Sequence, residues 1–250
     1  MCAVSVWWQL SFSRRPLHEY LNAITMIIPN LVSVWYVMHY TDDVTGKLTP
    51  VPAPMVYVMI GTALHMVFSV AFHVDSAMHL EEGLWNEDLK LWIMPSGRHW
   101  HPTAHNKYRR LDQTFIHVTG VLYTIAYRPT VPFTLISICW NTYSIFYIWK
   151  CDPEREEPPF VFESQLKAEG PRRRVLHMAV AAFIYLSALA SGGHEWAALK
   201  CLGALALAMG LFSLQPIVGG YGHSLFHLAL VIFYKYGLDA AIAVDGDLHS

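Results

Sequence analysis

The segment "GYGHSLFHLAL" near the C-terminus carries two histidines, His223 and His227, four positions apart in an otherwise apolar stretch. In a helix this spacing places both imidazoles on one face, one turn apart. A His-x-x-x-His pair of this kind supplies two ligands in many zinc sites. A lone histidine in an apolar helix is more often a hydrogen-bonded packing residue, so the metal-site hypothesis requires further polar residues at the same place.

Seven apolar segments of the chain are long enough to cross a membrane. A membrane helix needs roughly 20 predominantly apolar residues, and these segments lie near residues 18–40, 54–74, 112–128, 131–149, 175–192, 196–214 and 217–238. Hydrophobic residues make up 54% of the chain and charged residues 14%, whereas about 25% of the residues of a soluble domain are charged. We therefore predict an all-α fold, a seven-transmembrane helix bundle, in a multi-pass integral membrane protein.

The predicted membrane domain covers residues 17–238, between an apolar N-terminal segment (residues 1–16) and a short C-terminal tail (residues 239–250). Trp7 and Trp8 favour an interfacial position for the N-terminal segment, which lacks the pattern of a signal peptide. The net charge of −2 gives no basic surface for nucleic acid. The four cysteines are scattered without a Cys-x-x-Cys pair, so they predict neither a disulfide framework nor a zinc knuckle.

The distribution of lysine and arginine predicts the orientation. Thirteen of the 17 basic residues lie at the N-terminus or in the loops after the second and fourth spans, and basic residues concentrate on the cytoplasmic side of membrane proteins. The N-terminus is therefore predicted to face the cytoplasm. This topology brings five polar residues from three spans to the cytoplasmic third of the membrane: Ser69, His73, Asp112, His223 and His227.

Three histidines at one depth predict a metal site. Three protein ligands with an open fourth position are the arrangement of catalytic zinc, whose bound water is strongly acidified. In this hypothesis His73, His223 and His227 bind Zn²⁺, and Asp112 holds the water or accepts its proton. Ser69 lies one turn before His73 and bonds to the water or to a substrate carbonyl. Ionisable groups inside a membrane are costly and by default mark function.

The sequence contains other histidines that could be packing residues or a second metal-binding segment. Three further histidines lie in or beside predicted spans and are interpreted as packing residues: His65, His117 and His177. The segment "GRHWHPTAH" after the second span contains His99, His101 and His105, with His79 upstream. Histidine-rich tracts can bind metal, but glycine and proline in this segment are more typical of a solvated loop.

Several motifs resemble the progestin and adipoQ receptor family and its hemolysin III-like relatives, in a superfamily that includes the alkaline ceramidases. They are "SVAFH" in the second span, "YRRLDQTFIHVTG" opening the third and "GHSLFHLAL" in the seventh. The resemblance implies seven helices and a zinc ion near the cytoplasmic side, bound by His73, His223 and His227, with Asp112 and Ser69 beside it. The segment "HEYLNAIT" resembles the family's Glu-x-x-Asn-x-x-Thr opening, at Glu19, Asn22 and Thr25.

These observations favour a zinc-dependent hydrolase, ceramidase-like in chemistry, that acts on an amide or ester bond of a membrane lipid. An alternative is a receptor-like protein that senses a lipid or hormone and whose zinc is structural. A transporter with a histidine-lined path is the least favoured hypothesis, because the sequence shows no sign of inverted repeats. The predicted partner is a membrane lipid, as substrate or as ligand.

Overall fold

The computed structural model describes residues 15–40, 50–86, 91–97, 99–100, 106–128, 130–151, 170–218 and 220–249. Nearly all of the predicted N-terminal interfacial segment lies outside these residues, as do His101 and His105 of the histidine-rich loop. Predictions on those positions therefore stay predictions.

Seven helices of 16 residues or more lie within the described part of the chain. They are α1 (Pro16–Met38), α2 (Ala53–Glu82), α3 (Lys107–Tyr127), α4 (Val131–Phe146), α5 (Gly170–Ser191), α6 (Glu195–Ser213) and α7 (Tyr221–His249). A π-helical turn at Tyr147–Cys151 continues α4, and a helical turn at Gln215–Val218 precedes α7.

Proline and asparagine set the starts of several helices. Pro16, Pro54 and Pro132 stand in the first turns of α1, α2 and α4, where a missing N–H costs nothing because that group has no partner inside the helix. Asn106 caps α3, and its side-chain oxygen accepts a hydrogen bond from the Tyr108 N–H. Such a cap stabilises a helix by about 1 kcal/mol.

Six of the seven helices are long and apolar enough to cross a membrane: α1, α2, α4 with its π-helical turn, α5, α6 and α7. Their outer faces carry many exposed large apolar side chains, such as Leu31 on α1 and Phe183 on α5. Soluble proteins rarely expose apolar surface on this scale. The prediction of a helical, multi-pass membrane protein is therefore confirmed at the level of six candidate spans.

Helix α3 is the exception, because charged and polar residues at its start lower its hydropathy. It packs against α2, α4, α5 and α7. Between residues 108 and 128, all of which are described, no residue is exposed. Helix α3 thus packs among other helices, and none of its side chains between residues 108 and 127 is more than partly exposed.

Helices α1, α2 and α7 pack against one another, and α7 also contacts α3 and α6. This arrangement brings the start of α7 beside α1 and α2, which are distant in sequence. A continuous core of buried apolar side chains lies farther along the bundle, with Tyr123 and Tyr127 of α3 against Phe233 and Tyr234 of α7.

A small antiparallel sheet, which the sequence analysis does not predict, lies between α2 and α3. Its strands are β1 (Leu84–Asn86), β2 (Leu91–Ile93) and β3 (His99–Trp100), paired in the order β1-β2-β3. His99, interpreted above as part of a solvated loop, belongs to β3. A segment of strands this short gives too little alternation to be recognised from sequence.

Two helices extend beyond the apolar segments that predict them. Helix α2 continues from the predicted end at residue 74 to Glu82, and α7 runs through the predicted C-terminal tail to His249. Hydropathy marks where apolar residues end, whereas a helix continues as long as its backbone hydrogen bonds and side-chain pairs are favourable. Lys235 and Asp239 form such an i, i+4 pair, with 2.6 Å between Nζ and Oδ2.

Gly220 adopts a backbone conformation that fixes the entry to α7. Its φ is +92°, and a Cβ at this position would collide with the imidazole of His18 on α1. Glycine is therefore required here both for the left-handed backbone and for the close approach of α1.

Gly220→Ala is expected to destabilise the protein more than Gly193→Ala. Gly193 has a similar φ of +90°, but a Cβ there would meet nothing within 4 Å. Backbone strain costs about 1–3 kcal/mol in both variants, and overpacking adds about 1–3 kcal/mol in the first alone. Thermal unfolding of both variants in detergent measures the difference. Equal midpoints would show that His18 moves aside without cost.

Candidate metal centre

Helices α2 and α7 bring three histidines together. His73 comes from α2 and His223 and His227 from the first two turns of α7, and their ligand nitrogens all lie within 4.8 Å of one another. The ring of His73 is 4.8 Å from that of His223 and 5.4 Å from that of His227. His73 and His227 are almost completely buried, whereas His223 is partly exposed. These three residues could hold a metal ion.

The chemistry of the donor set fits a transition metal. Three atoms no more than 4.8 Å apart lie within about 2.8 Å of a common point, and zinc–nitrogen bonds are about 2.0–2.1 Å long. Small ring rotations therefore bring all three nitrogens to one ion. Imidazole suits zinc, copper, iron and nickel, whereas magnesium and calcium prefer oxygen ligands.

Glu19 of α1 fixes the orientation of the His73 ring. Its Oε2 lies 2.6 Å from His73 Nδ1, and both side chains are buried. When Glu19 is ionised, its carboxylate can only accept a hydrogen bond, and Nδ1 then carries the proton and donates it. This leaves Nε2 of His73 with a free lone pair for a metal. A carboxylate behind a ligand histidine also raises the basicity of the imidazole.

Asn22, one turn after Glu19, fixes the orientation of the His227 ring. His227 Nδ1 donates to the Asn22 backbone oxygen at 2.9 Å, and Thr25 Oγ1 lies 3.3 Å from the same nitrogen. A carbonyl oxygen has no proton to give, so Nε2 of His227 is again the nitrogen left for a metal. The Asn22 side chain accepts a hydrogen bond from the Ser224 hydroxyl at 2.7 Å. One turn of α1 thus orients a ligand histidine on each of two other helices.

Asp112 is not in the group of three histidines; it lies in the second turn of α3 and contacts His65 of α2. Its Oδ1 is 3.1 Å from His65 Nε2. The two atoms are at ion-pair distance, but their alignment does not make a hydrogen bond. Oδ1 is a buried acceptor without a hydrogen-bond partner in the described part of the chain.

Ser69 lies between His65 and His73 on α2. The three residues are spaced four apart, so they share one face of the helix over two turns. Ser69 is buried. This face therefore runs from the carboxylate of Asp112, through the Ser69 hydroxyl, to the three histidines.

Sequence reasoning missed two of these residues. His65 was interpreted as a packing residue, although its spacing of four from Ser69 and eight from His73 places it on the same face. Glu19 was identified only as part of a family motif, although a carboxylate beside an apolar span by itself indicates function. Its partner could not be identified, because sequence does not show which face of α1 meets α2.

Three other histidines have ordinary structural contacts. His117 Nδ1 lies 2.8 Å from Asn141 Oδ1, and His177 lies among the rings of Trp140, Tyr143 and Tyr147. His79 contacts Asp75 one turn earlier. The interpretation of His117 and His177 as packing residues agrees with these contacts.

Replacing His73, His223 or His227 by alanine is expected to remove the bound metal from the purified protein. Each substitution deletes one of three donors, and two imidazoles on a membrane helix hold an ion much more weakly than three. Elemental analysis of the detergent-purified variants measures the metal-to-protein ratio. His117→Ala is the matched control, since His117 is equally buried but not in the cluster. Wild-type protein without stoichiometric metal would contradict the assignment.

Glu19→Ala is expected to weaken metal binding by about 10- to 100-fold, the usual effect of removing the group behind a ligand histidine. Competition with a chelator of known affinity measures the change. Glu81→Ala is the control, because Glu81 also joins α1 to α2, through Tyr20 at 3.2 Å, but at an exposed position. Equal affinity in wild type and Glu19→Ala would show that Glu19 has no part in the centre.

No protein-family model matches the chain, and no curated protein matches it. The resemblance to the progestin and adipoQ receptor family thus rests on the motif residues alone. The structure gives their positions: the motifs of the second and seventh spans contribute the three histidines, and the Glu-x-x-Asn-x-x-Thr segment contributes their hydrogen-bond partners.

Proposed function

We propose that the chain is a seven-helix membrane protein, with a cytoplasmic N-terminus, that binds zinc and hydrolyses an amide or ester bond of a membrane lipid. The observation that carries the proposal is the convergence of three histidine donors beside a second ionisable pair, His65 and Asp112, inside a bundle with an apolar exterior. The proposal includes membership of the progestin and adipoQ receptor superfamily, in line with the motifs described above.

The packing of α3 supports the count of seven spans. A helix that packs against α2, α4, α5 and α7 and has no fully exposed side chain between residues 108 and 127 needs less hydropathy of its own than a helix on the outside of the bundle. The excess of lysine and arginine at the N-terminus and in the loops after α2 and α4 supports the orientation. With this orientation the three histidines lie toward the cytoplasmic side.

Each of the three histidines has a ring nitrogen within 4.8 Å of a ring nitrogen of the other two. His73, His223 and His227 would hold the zinc, and Glu19 and Asn22 keep the first and third of these rings in the required tautomer. Zinc, when bound, supplies Lewis acidity to the reaction. Three protein ligands leave a further position for a small molecule, as in catalytic zinc sites.

Asp112 and Ser69 would move and hold the protons of the reaction. Asp112 Oδ1, a buried acceptor without a hydrogen-bond partner in the described residues, takes a proton from the attacking water as a new bond forms between the water oxygen and the carbonyl carbon. The proton then passes to the leaving nitrogen or oxygen as its bond to that carbon breaks. Ser69 would donate its hydroxyl hydrogen to the carbonyl oxygen, where negative charge develops. His65 lies beside the Asp112 carboxylate, with 3.1 Å between Nε2 and Oδ1.

The partial exposure of His223 supports access from outside the bundle. His73 and His227 are buried, whereas His223, near the start of α7, is partly exposed. Apolar side chains exposed on the same helix, such as Leu225 and Leu228, suit a substrate that arrives through the bilayer rather than from water.

Asp112→Asn is expected to lower the rate of lipid hydrolysis by about 10²- to 10⁴-fold, the usual contribution of a general base, while bound zinc is retained. The amide is nearly isosteric with the carboxyl group but cannot accept the proton. Hydrolysis of a panel of amide and ester lipids by protein in vesicles, together with zinc content, measures both effects. Asp75→Asn is the matched control, since Asp75 pairs with His79 away from the cluster.

Two outcomes would contradict the proposal in different ways. Unchanged hydrolysis in Asp112→Asn would remove Asp112 from the reaction. Wild-type protein that holds zinc but hydrolyses none of the lipids, with and without chelator, would instead support the receptor-like alternative, in which the metal joins α2 to α7.

A further inference from the structure

We infer that a groove between α6 and α7, on the side of the bundle away from the three histidines, binds the zwitterionic phosphocholine headgroup of a membrane lipid. Twelve residues of α7 separate His227 from Asp239, which lines the groove, and this is about 18 Å along the helix. The inference is therefore independent of the reaction proposed above. It rests on the shape of the groove, on the charges and rings that line it, and on the apolar surface that continues from it.

The groove lies between the first two turns of α6 and the second half of α7. Its volume is about 330 Å³, and pockets that bind small molecules usually have about 300–1,000 Å³. On α7 its lining recurs at helical spacing from Tyr236 to Ala243, and on α6 it includes Trp196, Ala197 and Lys200. Residues at such spacings share one face of a helix. Two facing helix surfaces thus form the walls of the groove.

Alanine residues leave the space that the groove occupies. Ala240 of α7 belongs to the buried core, and Ala197 of α6 packs against that core, so these two residues form the floor. Ala243 lines the groove at an exposed position. A large side chain at one of these positions would fill part of the volume, so the small residues are what keeps the groove open.

The groove offers a ligand one positive and one negative charge. Glu195 and Lys200 both line it and are both exposed, and within the described residues neither forms an ion pair. The carboxylate of Asp239 is already used, because it accepts hydrogen bonds from the Tyr36 hydroxyl and from Lys235 Nζ, each at 2.6 Å. The charges that remain complement a zwitterion rather than a simple anion or cation.

An open aromatic ring beside the free carboxylate favours a quaternary ammonium group as the cation. Trp196 follows Glu195 directly and is 77% exposed, whereas the ring of Tyr236 already has Lys235 Nζ 5.8 Å from its centre. The face of a tryptophan ring attracts cations, and quaternary ammonium groups such as choline are typical ligands of aromatic sites. Lys200, one turn after Trp196, is the partner for a phosphate. A quaternary ammonium joined to a phosphate is the phosphocholine headgroup.

The first turns of α6 lie at the level of lipid headgroups. Helix α6 has 19 residues and is about 28 Å long, which is close to the thickness of about 30 Å of the hydrocarbon core of a bilayer. Glu195, its first residue, therefore stands at the boundary between hydrocarbon and headgroups. Lys200 begins about 7.5 Å farther in, and its long side chain reaches back to this boundary.

The surface that continues from the groove is apolar, which indicates a lipid rather than a soluble compound. Gly203, nearly one turn after Lys200 on α6, is exposed, and a Cβ there would meet nothing within 4 Å. Leu207, one turn farther along α6, is 48% exposed, and Ile232, one turn before Tyr236 on α7, is 40% exposed. The acyl chains of a lipid whose headgroup fills the groove would lie along these residues.

Native mass spectrometry of the full chain in a nonionic detergent tests the inference. Wild type is titrated with phosphatidylcholine and, separately, with phosphatidylglycerol, which has the phosphate without the cation. One saturable site with higher affinity for phosphatidylcholine is expected. Glu195→Gln is expected to weaken the binding of phosphatidylcholine alone, and Lys200→Gln that of both lipids, each by about fivefold, the usual size of an exposed charge contact. Glu82→Gln and Lys107→Gln, at exposed ends of other helices, are the matched controls.

A further variant changes the shape of the groove and none of its charges. Ala243→Phe places a large side chain in the groove and is expected to weaken the binding of phosphatidylcholine by more than about tenfold, because the headgroup then has no room. Ala206→Phe is the control, since Ala206 is exposed on α6 but does not line the groove. Thermal unfolding midpoints equal to that of wild type show that these exposed substitutions leave the fold intact.

Three results would overturn the inference. Equal affinity of wild type for the two lipids would show that the groove does not recognise the cation. Unchanged binding of phosphatidylcholine in both Lys200→Gln and Ala243→Phe would place the lipid elsewhere on the protein. Competition by glycerophosphocholine as effective as that by the lipid itself would assign the groove to a soluble compound.

Discussion

The contact between Glu19 and His73 is the interaction on which the rest of the centre depends. An ionised carboxylate buried in a membrane protein costs several kcal/mol unless opposite charge and hydrogen bonds compensate for the lost water. At 2.6 Å from Nδ1, Glu19 has one such hydrogen bond. A divalent cation on the other side of the imidazole would supply the missing charge.

Helix α1 orients two of the three histidines that could hold a metal. The ligands come from α2 and α7, but the groups that orient two of their rings come from one turn of α1, at Glu19 and Asn22. The Asn22 side chain also receives the Ser224 hydroxyl of α7. Because one short segment contacts both ligand helices, a shift of α1 would move both rings at once. The close passage of His18 over Gly220 sets the distance between α1 and α7 at the same point.

Periodicity, charge and topology were enough to predict the three histidines and their common depth. Residues four apart on a helix share a face, and the distribution of lysine and arginine aligns helices that are distant in sequence. The same reasoning could not place Asp112, because depth along an axis says nothing of the rotation of α3 about that axis. Rotation is decided by packing, and here it directs Asp112 toward His65 rather than into the cluster of histidines. For the same reason, the sequence could not predict the hydrogen-bond partners on α1 or the β1–β3 sheet. Both depend on which surfaces of the protein pack against each other.

The position of Asp112 depends on Asn106, the residue that caps α3. Asn106 caps α3 and at the same time bonds to Phe72 and Ser76, which flank His73 on α2. Asp112 follows fewer than two turns later on α3, so this one asparagine sets the height of the carboxylate against the ligand helix. These bonds join the start of α3 to the turn of α2 that carries His73. A change at Asn106 would therefore shift Asp112 relative to His65 and to the ligand histidine on the same helix, because all three positions depend on how α3 lies against α2.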